Sequence, residues 1–165
     1  MSGPILIFDS GVGGLSVVKA LREQMPGAAP AYVCDNAALP YGTKPDAWLV
    51  TRIVEVCRAA VAASGARTLV VACNTASTLA LDALRAALSI PVVGTVPAIK
   101  PAAALSGSGV IGLLATSATV TRPYTDNLIR EFAGHCTVVR VAADGLVEQA
   151  ERLLAGEPVD EAVLD

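Results

Sequence analysis

Residues 68–78 have the sequence TLVVACNTAST, which predicts the central strand of the fold and the start of the helix after it. The apolar run over 69–72 is typical of a parallel strand that is buried on both faces. Cys73, Asn74 and Thr75 follow, and a helical pattern of Leu and Ala comes next. Ligands bind at the carboxyl ends of such strands, and a helix N-terminus favours the thiolate form of cysteine. The stretch therefore predicts a strand, a helix and a reactive thiol between them, with Asn74 and Thr75 as helix caps or polar ligands. A buried structural cysteine before an ordinary cap is the alternative.

Strand and helix patterns alternate along the rest of the chain. Strands are predicted at 5–9, 31–35, 69–72, 90–95, 110–115 and 137–141. Helical patterns cover 15–25, a segment opened by Pro45, 79–88, 123–132, 145–154 and 159–164. Residues 98–105 form an Ala-rich segment, and 116–119 is a polar strand tip. Alternation of this kind predicts right-handed βαβ units and a parallel sheet. If the strand order is 2-1-3-4, Asp9 and Ser10 lie across a crevice from Cys73 and Asn74.

Composition and charge exclude several classes of function. The chain has 165 residues, of which 53% are hydrophobic and 16% charged, with a net charge of -3. The sequence pI is near 5.1 and only 4% of residues are aromatic, so nucleic acid is not expected as the main partner. The first residues lack a basic segment, and apolar runs stay well short of a membrane span. We expect a cytoplasmic protein without a membrane partner.

The predicted fold class is α/β. Residues 1–97 are expected to form a parallel-sheet, three-layer α-β-α domain that carries Cys73. Residues 98–165 are expected to start a second α/β domain, which is incomplete because two strands do not cover themselves. We therefore expect a chain that is cut short. A single small domain with an extra pair of helices is the alternative.

The cysteines do not form a metal or disulfide pattern. Cys34, Cys57, Cys73 and Cys136 make no C-x-x-C pair, and His135 is the only histidine. Zinc, disulfides and any other metal site are therefore not expected. Cys57 lies on the apolar stripe of a predicted helix and is expected in the core. His135 and Cys136 are adjacent and are expected in a solvated loop.

Three chemistries fit the motifs to different degrees. The glycines after Asp9-Ser10, with Asp35 ending the next strand, imitate a dinucleotide-binding loop, although a plain tight turn explains them. Cysteine hydrolase chemistry lacks a well-placed histidine. Proton transfer at a carbon next to a carboxylate suits Cys73 as the base, Asp9 as the ammonium partner, and nearby hydroxyls and amides as carboxylate ligands. A plain anion-binding pocket has the same residue inventory and stays open.

Four motifs resemble, in order and spacing, those of bacterial glutamate racemases. They are DSGVGGL from Asp9, PYGTK from Pro40, ACNTA around Cys73 and ATSAT ending at Thr119. The resemblance implies a cofactor-independent enzyme in which two cysteines on opposite faces of glutamate exchange its α-proton. It also implies that the product, D-glutamate, enters peptidoglycan. Glutamate is then the small-molecule partner, and a homodimer is left open.

The resemblance assigns roles position by position. Cys73 is similar to the first of the two catalytic cysteines. The implied substrate-binding residues are Asp9, Ser10, Tyr41, Gly42, Asn74, Thr75, Thr116 and Thr119. The family's second cysteine lies in a Gly-Cys-Thr-His motif that this sequence lacks, so the chain is expected to be an N-terminal portion that is inactive alone. An aspartate or related amino-acid racemase and a non-catalytic binding module for an anion or a protein are the alternatives.

Overall fold

A computed structural model describes residues 3–163. The contacts within the chain form two compact units, the first ending at Thr95 and the second beginning at Val96. The predicted domain assignment, 1–97 and 98–165, stays a prediction.

The first unit is built on a four-stranded parallel sheet. Its strands are β1 (Ile5–Asp9), β2 (Pro30–Cys34), β3 (Thr68–Val71) and β4 (Val92–Gly94). Its α-helices are α1 (Leu15–Gln24), α2 (Asp46–Ser64) and α3 (Asn74–Ala87). The strand order is β2-β1-β3-β4, and every pairing is parallel. The order assumed from the sequence is therefore confirmed.

Helices cover both faces of this sheet. Leu6 and Phe8 pack with the apolar stripes of α2 and α3 in one buried cluster, which includes Cys57. The expectation that Cys57 lies in the core is confirmed. Because strand residues alternate between faces, Ile7 points the opposite way, and it is fully buried as well. The side chain of Tyr32 also lies on that face and reaches the loop that leads into α1. The unit thus has the α-β-α layering that the apolar runs predict.

The second unit has a two-stranded parallel sheet within the described residues. Its strands are β5 (Val110–Ala115) and β6 (Thr137–Ala142). Its helices are α4 (Ile99–Leu105), α5 (Ser117–Val120), α6 (Pro123–Phe132) and α7 (Asp144–Leu154). Ile111 and Leu113 pack in a cluster with residues of α4, α5 and α6. The opposite face of the sheet exposes Val110, Leu114, Val139 and Val141.

Two predictions for the second unit need correction. The helix predicted over 159–164 is a short 3-10 turn, Glu161–Val163. Residue 164, the last one of the predicted helix, lies outside the described residues. So short a segment does not maintain an α-helix without packing, and the side chains of this turn are exposed. The polar tip predicted at 116–119 is instead the cap and body of the one-turn helix α5. Between residues 3 and 163, no helix is long and apolar enough to cross a membrane.

Candidate active site

The central strands bring Ser10 and Cys73 together. Phe8 and Val71 are paired in the parallel register of β1 and β3, and the two site residues each follow two positions later. The hydroxyl oxygen of Ser10 lies 3.4 Å from the sulfur of Cys73. The predicted neighbourhood of Ser10 and Cys73 is therefore present at the carboxyl edge of the sheet.

Cys73 itself caps helix α3. Its backbone is extended, with φ -71° and ψ 120°, and its sulfur accepts the N–H of Ala76 at 3.4 Å. The sequence suggested Asn74 or Thr75 as the cap, and that suggestion is wrong because both residues already belong to the helix. Asn74 is exposed and Thr75 is buried, so the first turn presents two different environments next to the thiol.

Burial raises the pKa of the Cys73 thiol. The residue is 6% exposed, and loss of water around the sulfur penalises the thiolate. The hydroxyl of Ser10 and the N–H of Ala76 act in the opposite direction, whereas the charge of Asp9 adds to the rise in pKa. The expected preference of the helix N-terminus for the thiolate is therefore opposed by burial, and the net shift of the Cys73 pKa is upward. Desolvation outweighs these hydrogen bonds and a further one from the backbone of Ser10.

The carboxylate of Asp9 organises the loop between β1 and α1. Its Oδ2 atom accepts the backbone N–H of Gly14 at 2.8 Å. Gly14 has φ -64°, which any residue adopts, but an added Cβ would lie 3.0 Å from atoms of Asp9, Tyr32 and Ala72. The glycine therefore relieves close packing and does not supply backbone freedom. A nucleotide phosphate would need such an N–H, and here Asp9 binds it, which disfavours the dinucleotide alternative.

Tyr41 is a buried residue whose hydroxyl is hydrogen-bonded within the chain. The side chain is 2% exposed, and the hydroxyl donates to Oδ2 of Asp35 at 2.7 Å. Gly42 follows in the 3-10 turn Tyr41–Thr43 and is half-buried. The Asp35 carboxylate also accepts two hydrogen bonds from Arg52, so it is not free for a ribose. The hydroxyl proton of Tyr41 is therefore used within the chain, and Gly42 can offer only its backbone to a ligand.

Arg52 was not found by sequence reasoning. The available signal was its spacing from Trp48, one helical turn earlier on α2, because an arginine often lies over an aromatic ring at that distance. The guanidinium carbon is 5.7 Å from the centroid of the Trp48 ring. Its partner Asp35 entered the sequence argument only as part of a nucleotide-like pattern.

A second set of hydroxyls fixes the end of β3 behind the thiol. Ser77 donates to the carbonyl of Val71 at 2.9 Å, and the N–H of Thr95 donates to the Ser77 hydroxyl at 3.1 Å. The Thr95 hydroxyl lies 3.1 Å from the carbonyl oxygens of both Val71 and Ala72. These bonds hold the backbone that precedes Cys73, and sequence reasoning missed both residues.

Thr116 and Thr119 lie in the second unit. Their hydroxyl oxygens are 3.2 Å apart, and Thr119 is buried. Asp144 supports this loop, since its two carboxylate oxygens lie 3.0 and 3.2 Å from the N–H of Ser117. The ligand contacts implied for Thr116 and Thr119 stay predictions. Within the described part of the chain, no group of three His, Cys, Asp or Glu side chains could hold a metal ion.

The fold and site define an α/β protein with a buried thiol at the carboxyl edge of a parallel sheet. A family model described as Asp/Glu/Hydantoin racemase matches residues 13–163. The chain belongs to this racemase family.

Individual relatives are similar over nearly the whole chain. The chain is 54% identical to a glutamate racemase of Shewanella loihica, covering 99% of this chain and 62% of that protein. It is 53% identical to a glutamate racemase of Proteus mirabilis, covering 94% of this chain and 54% of that protein. A crystal structure of Escherichia coli glutamate racemase with L-glutamate and the activator UDP-MurNAc-ala is 47% identical, with a TM-score of 0.92. It matches 99% of this chain and 62% of that one, so the chain spans little more than half the length of these relatives.

Proposed function

We propose that this chain carries one of the two thiol bases of a cofactor-independent glutamate racemase that supplies D-glutamate for peptidoglycan. The observation that carries the proposal is the contact of Ser10 with Cys73, in a chain about half identical to glutamate racemases. The proposal extends to this chain an activity named for longer relatives, and the chain covers 54–62% of the length of the two cited above.

The proposed chemistry is proton transfer at the α-carbon. The Cys73 thiolate takes the α-proton of glutamate, so an S–H bond forms as the C–H bond breaks. The electron pair left on carbon delocalises into the adjacent carboxylate, which backbone N–H groups and the side chains of Asn74 and Thr75 stabilise. Asp9 pairs with the substrate ammonium group. This pairing offsets the charge that now raises the pKa of Cys73, so the bound substrate favours the thiolate.

Inversion needs a second group on the opposite face of the carbon. Cys73 can remove a proton from one face and return it only to that face. We therefore propose that the chain exchanges the α-proton of D-glutamate with solvent and does not racemise either enantiomer. The preference for the D-enantiomer follows the resemblance of Cys73 to the family's first cysteine.

The test is deuterium uptake from heavy water, followed by proton NMR of D- and L-glutamate. D-glutamate should lose its α-proton signal while its optical rotation stays unchanged, and L-glutamate should keep the signal. At low D-glutamate concentration, the rate should rise as the pH is raised from 7 to 9, because the raised pKa of Cys73 leaves the thiolate as the minor form in the free protein. Cys73→Ser should abolish uptake, whereas Cys34→Ser, at an exposed cysteine of the same unit, should retain it.

Other outcomes identify the rival functions. Uptake into aspartate in preference to glutamate would make the chain part of an aspartate racemase. Binding of glutamate without any exchange would support a non-catalytic binding module. Racemisation of either enantiomer by the 165-residue chain would contradict the one-thiol proposal. We also propose a cytoplasmic location and a homodimer, which cell fractionation and sedimentation would test.

A further inference from the structure

A polar cluster of Asp35, Tyr41 and Arg52, of which the first two are buried, lies in the first unit and takes no part in the proposed proton transfer. Oδ2 of Asp35 accepts the Tyr41 hydroxyl at 2.7 Å and Nε of Arg52 at 2.7 Å. Oδ1 of Asp35 accepts Nη2 of Arg52 at 2.6 Å. The two carboxylate oxygens therefore receive three hydrogen bonds from two side chains.

The cluster ties together three pieces of the unit. The N–H of Asp35 donates to the carbonyl of Asp9 at 3.0 Å, which joins the cluster to the end of β1. Arg52 belongs to α2. Tyr41 begins the 3-10 turn that continues with Gly42, and its ring packs at 6.4 Å from that of Phe8. Through Asp35, the turn acquires a fixed position relative to Asp9 and helix α2.

The geometry of Arg52 is specific to an arginine. Its guanidinium donates through two nitrogens to the two oxygens of one carboxylate and lies 5.7 Å from the Trp48 ring centroid. A lysine keeps the charge but cannot reproduce the paired donation. The Arg52 hydrogen bond lowers the pKa of Asp35, so the buried carboxylate stays charged and continues to accept the Tyr41 hydroxyl.

An ordinary stabilising ion pair does not explain the whole cluster. The Arg52 side chain is 34% exposed and remains in contact with solvent, whereas that of Asp35 is 4% exposed, so loss of Arg52 would leave a buried carboxylate without its cationic partner. That effect accounts for the ion pair, but not for the hydrogen bond from Tyr41 to the same carboxylate. The Tyr41 hydroxyl has one proton, which it donates to Asp35. This bond restricts rotation of the whole Tyr41–Gly42 segment, in which Gly42 can offer only its backbone to a ligand.

We propose that Asp35 and Arg52 are positioning residues, which hold the backbone of Tyr41 and Gly42 in place for glutamate through the Tyr41 hydroxyl. Neither residue touches the substrate. The inference rests on the proposed function for the identity of the ligand, whereas the effect on the turn is a property of the chain itself.

The test combines hydrogen exchange with binding on the 165-residue chain. In Arg52→Lys, the amides of Tyr41 to Lys44 should exchange about tenfold faster, while the amides of α3 stay unchanged. The affinity for D-glutamate, measured by calorimetry, should fall about tenfold, since binding must now order the turn. Tyr41→Phe keeps the ring and should change the same amides in the same direction.

Controls separate positioning from general loss of stability. Arg58→Lys, at an exposed position on α2, should change neither the turn amides nor the affinity. The double variant Tyr41→Phe/Arg52→Lys should bind D-glutamate with the same affinity as the more impaired of the two single variants, because both changes break the same chain of contacts. Turn amides that stay protected in Arg52→Lys would overturn the positioning role. If the wild-type chain binds no glutamate, the proposed function is refuted. The exchange rates of the turn amides in Arg52→Lys would then still show whether the cluster of Asp35, Tyr41 and Arg52 orders the turn.

Discussion

Similar apolar strands are buried to different extents in the two units. In the first unit, β1 and β3 lie in the middle of a four-stranded sheet, and Leu69 is 0% exposed. In the second unit, β5 and β6 pair only with each other within the described residues, and Leu114 is 61% exposed. Both leucines lie in runs of apolar residues that predict burial on two faces. The apolar pattern of a strand thus indicates which of its side chains can be buried. The layers that pack against the sheet determine which of them are buried.

Buried polar groups also have different structural roles in the two units. In the first unit, buried hydroxyls and carboxylates hold the ends of β1 and β3, where Ser10 meets Cys73. In the second unit, Arg140 reaches from β6 to Asp126 at 2.7 Å and to the carbonyl of Val120 at 2.9 Å, and both partners belong to helices. The first arrangement fixes a site, whereas the second attaches helices to a narrow sheet.

The largest expected difference is in the cost of removing a leucine from a strand. Leu69→Ala should lower the free energy of unfolding by about 3 kcal/mol, because it leaves a cavity in a closed core. Leu114→Ala should cost less than about 1 kcal/mol, since most of that side chain is already in contact with solvent. Urea denaturation followed by circular dichroism measures both values. Equal losses would show that the open face of β5 and β6 is covered in solution.

Thiol reactivity should give the next largest contrast. Burial raises the pKa of Cys57 to about 12, so its thiolate is scarce at pH 8. Cys34 is exposed, and Cys136, in the second unit, is half-buried. Under native conditions, iodoacetamide should label Cys34 at least about a hundredfold faster than Cys57, with Cys136 between them.

Mass spectrometry of peptides gives the labelling rates, and the same reaction in urea should label all four cysteines alike. Because its pKa is raised, Cys73 should also be slow at pH 8 and should react faster as the pH rises. Rapid labelling of Cys73 at pH 7 would mean that its thiolate is stable without substrate.

The smallest contrast concerns the carboxylates that hold loops in the two units. Asp144→Ala should destabilise the chain by about 1 kcal/mol, because the N–H of Ser117 loses its acceptor. Asp9→Asn keeps an oxygen for Gly14 and should cost no more than about 1 kcal/mol, yet it should lower D-glutamate exchange at least about tenfold. Thermal unfolding and the heavy-water assay, run on both variants, check the pair. Full exchange activity in Asp9→Asn would leave Asp9 as a loop residue only.

Much of the fold was predictable from local patterns. Apolar runs and helical stripes predicted the six strands and the helices α1, α6 and α7 to within about two residues. The α3 helix begins at Asn74, ahead of its predicted pattern over 79–88, and no helix was predicted at α4 or α5. The turn at Glu161–Val163 was the clear failure, because five or six residues of helical pattern do not determine a helix without packing. The motif around Cys73 also predicted that Ser10 and Cys73 would be neighbours once the strand order was assumed.

The class of the fold, the strand that carries Cys73 and the racemase motifs could all be predicted from the sequence, since they depend on periodicity and residue type over short distances. The direction of the Cys73 pKa shift required the folded chain, because a pKa depends on how completely distant segments exclude water from the sulfur. The tertiary structure also shows that Asp35, Tyr41 and Arg52 form one cluster. These contacts depend on how a strand end, a turn and a helix pack together, which residue spacing alone does not determine.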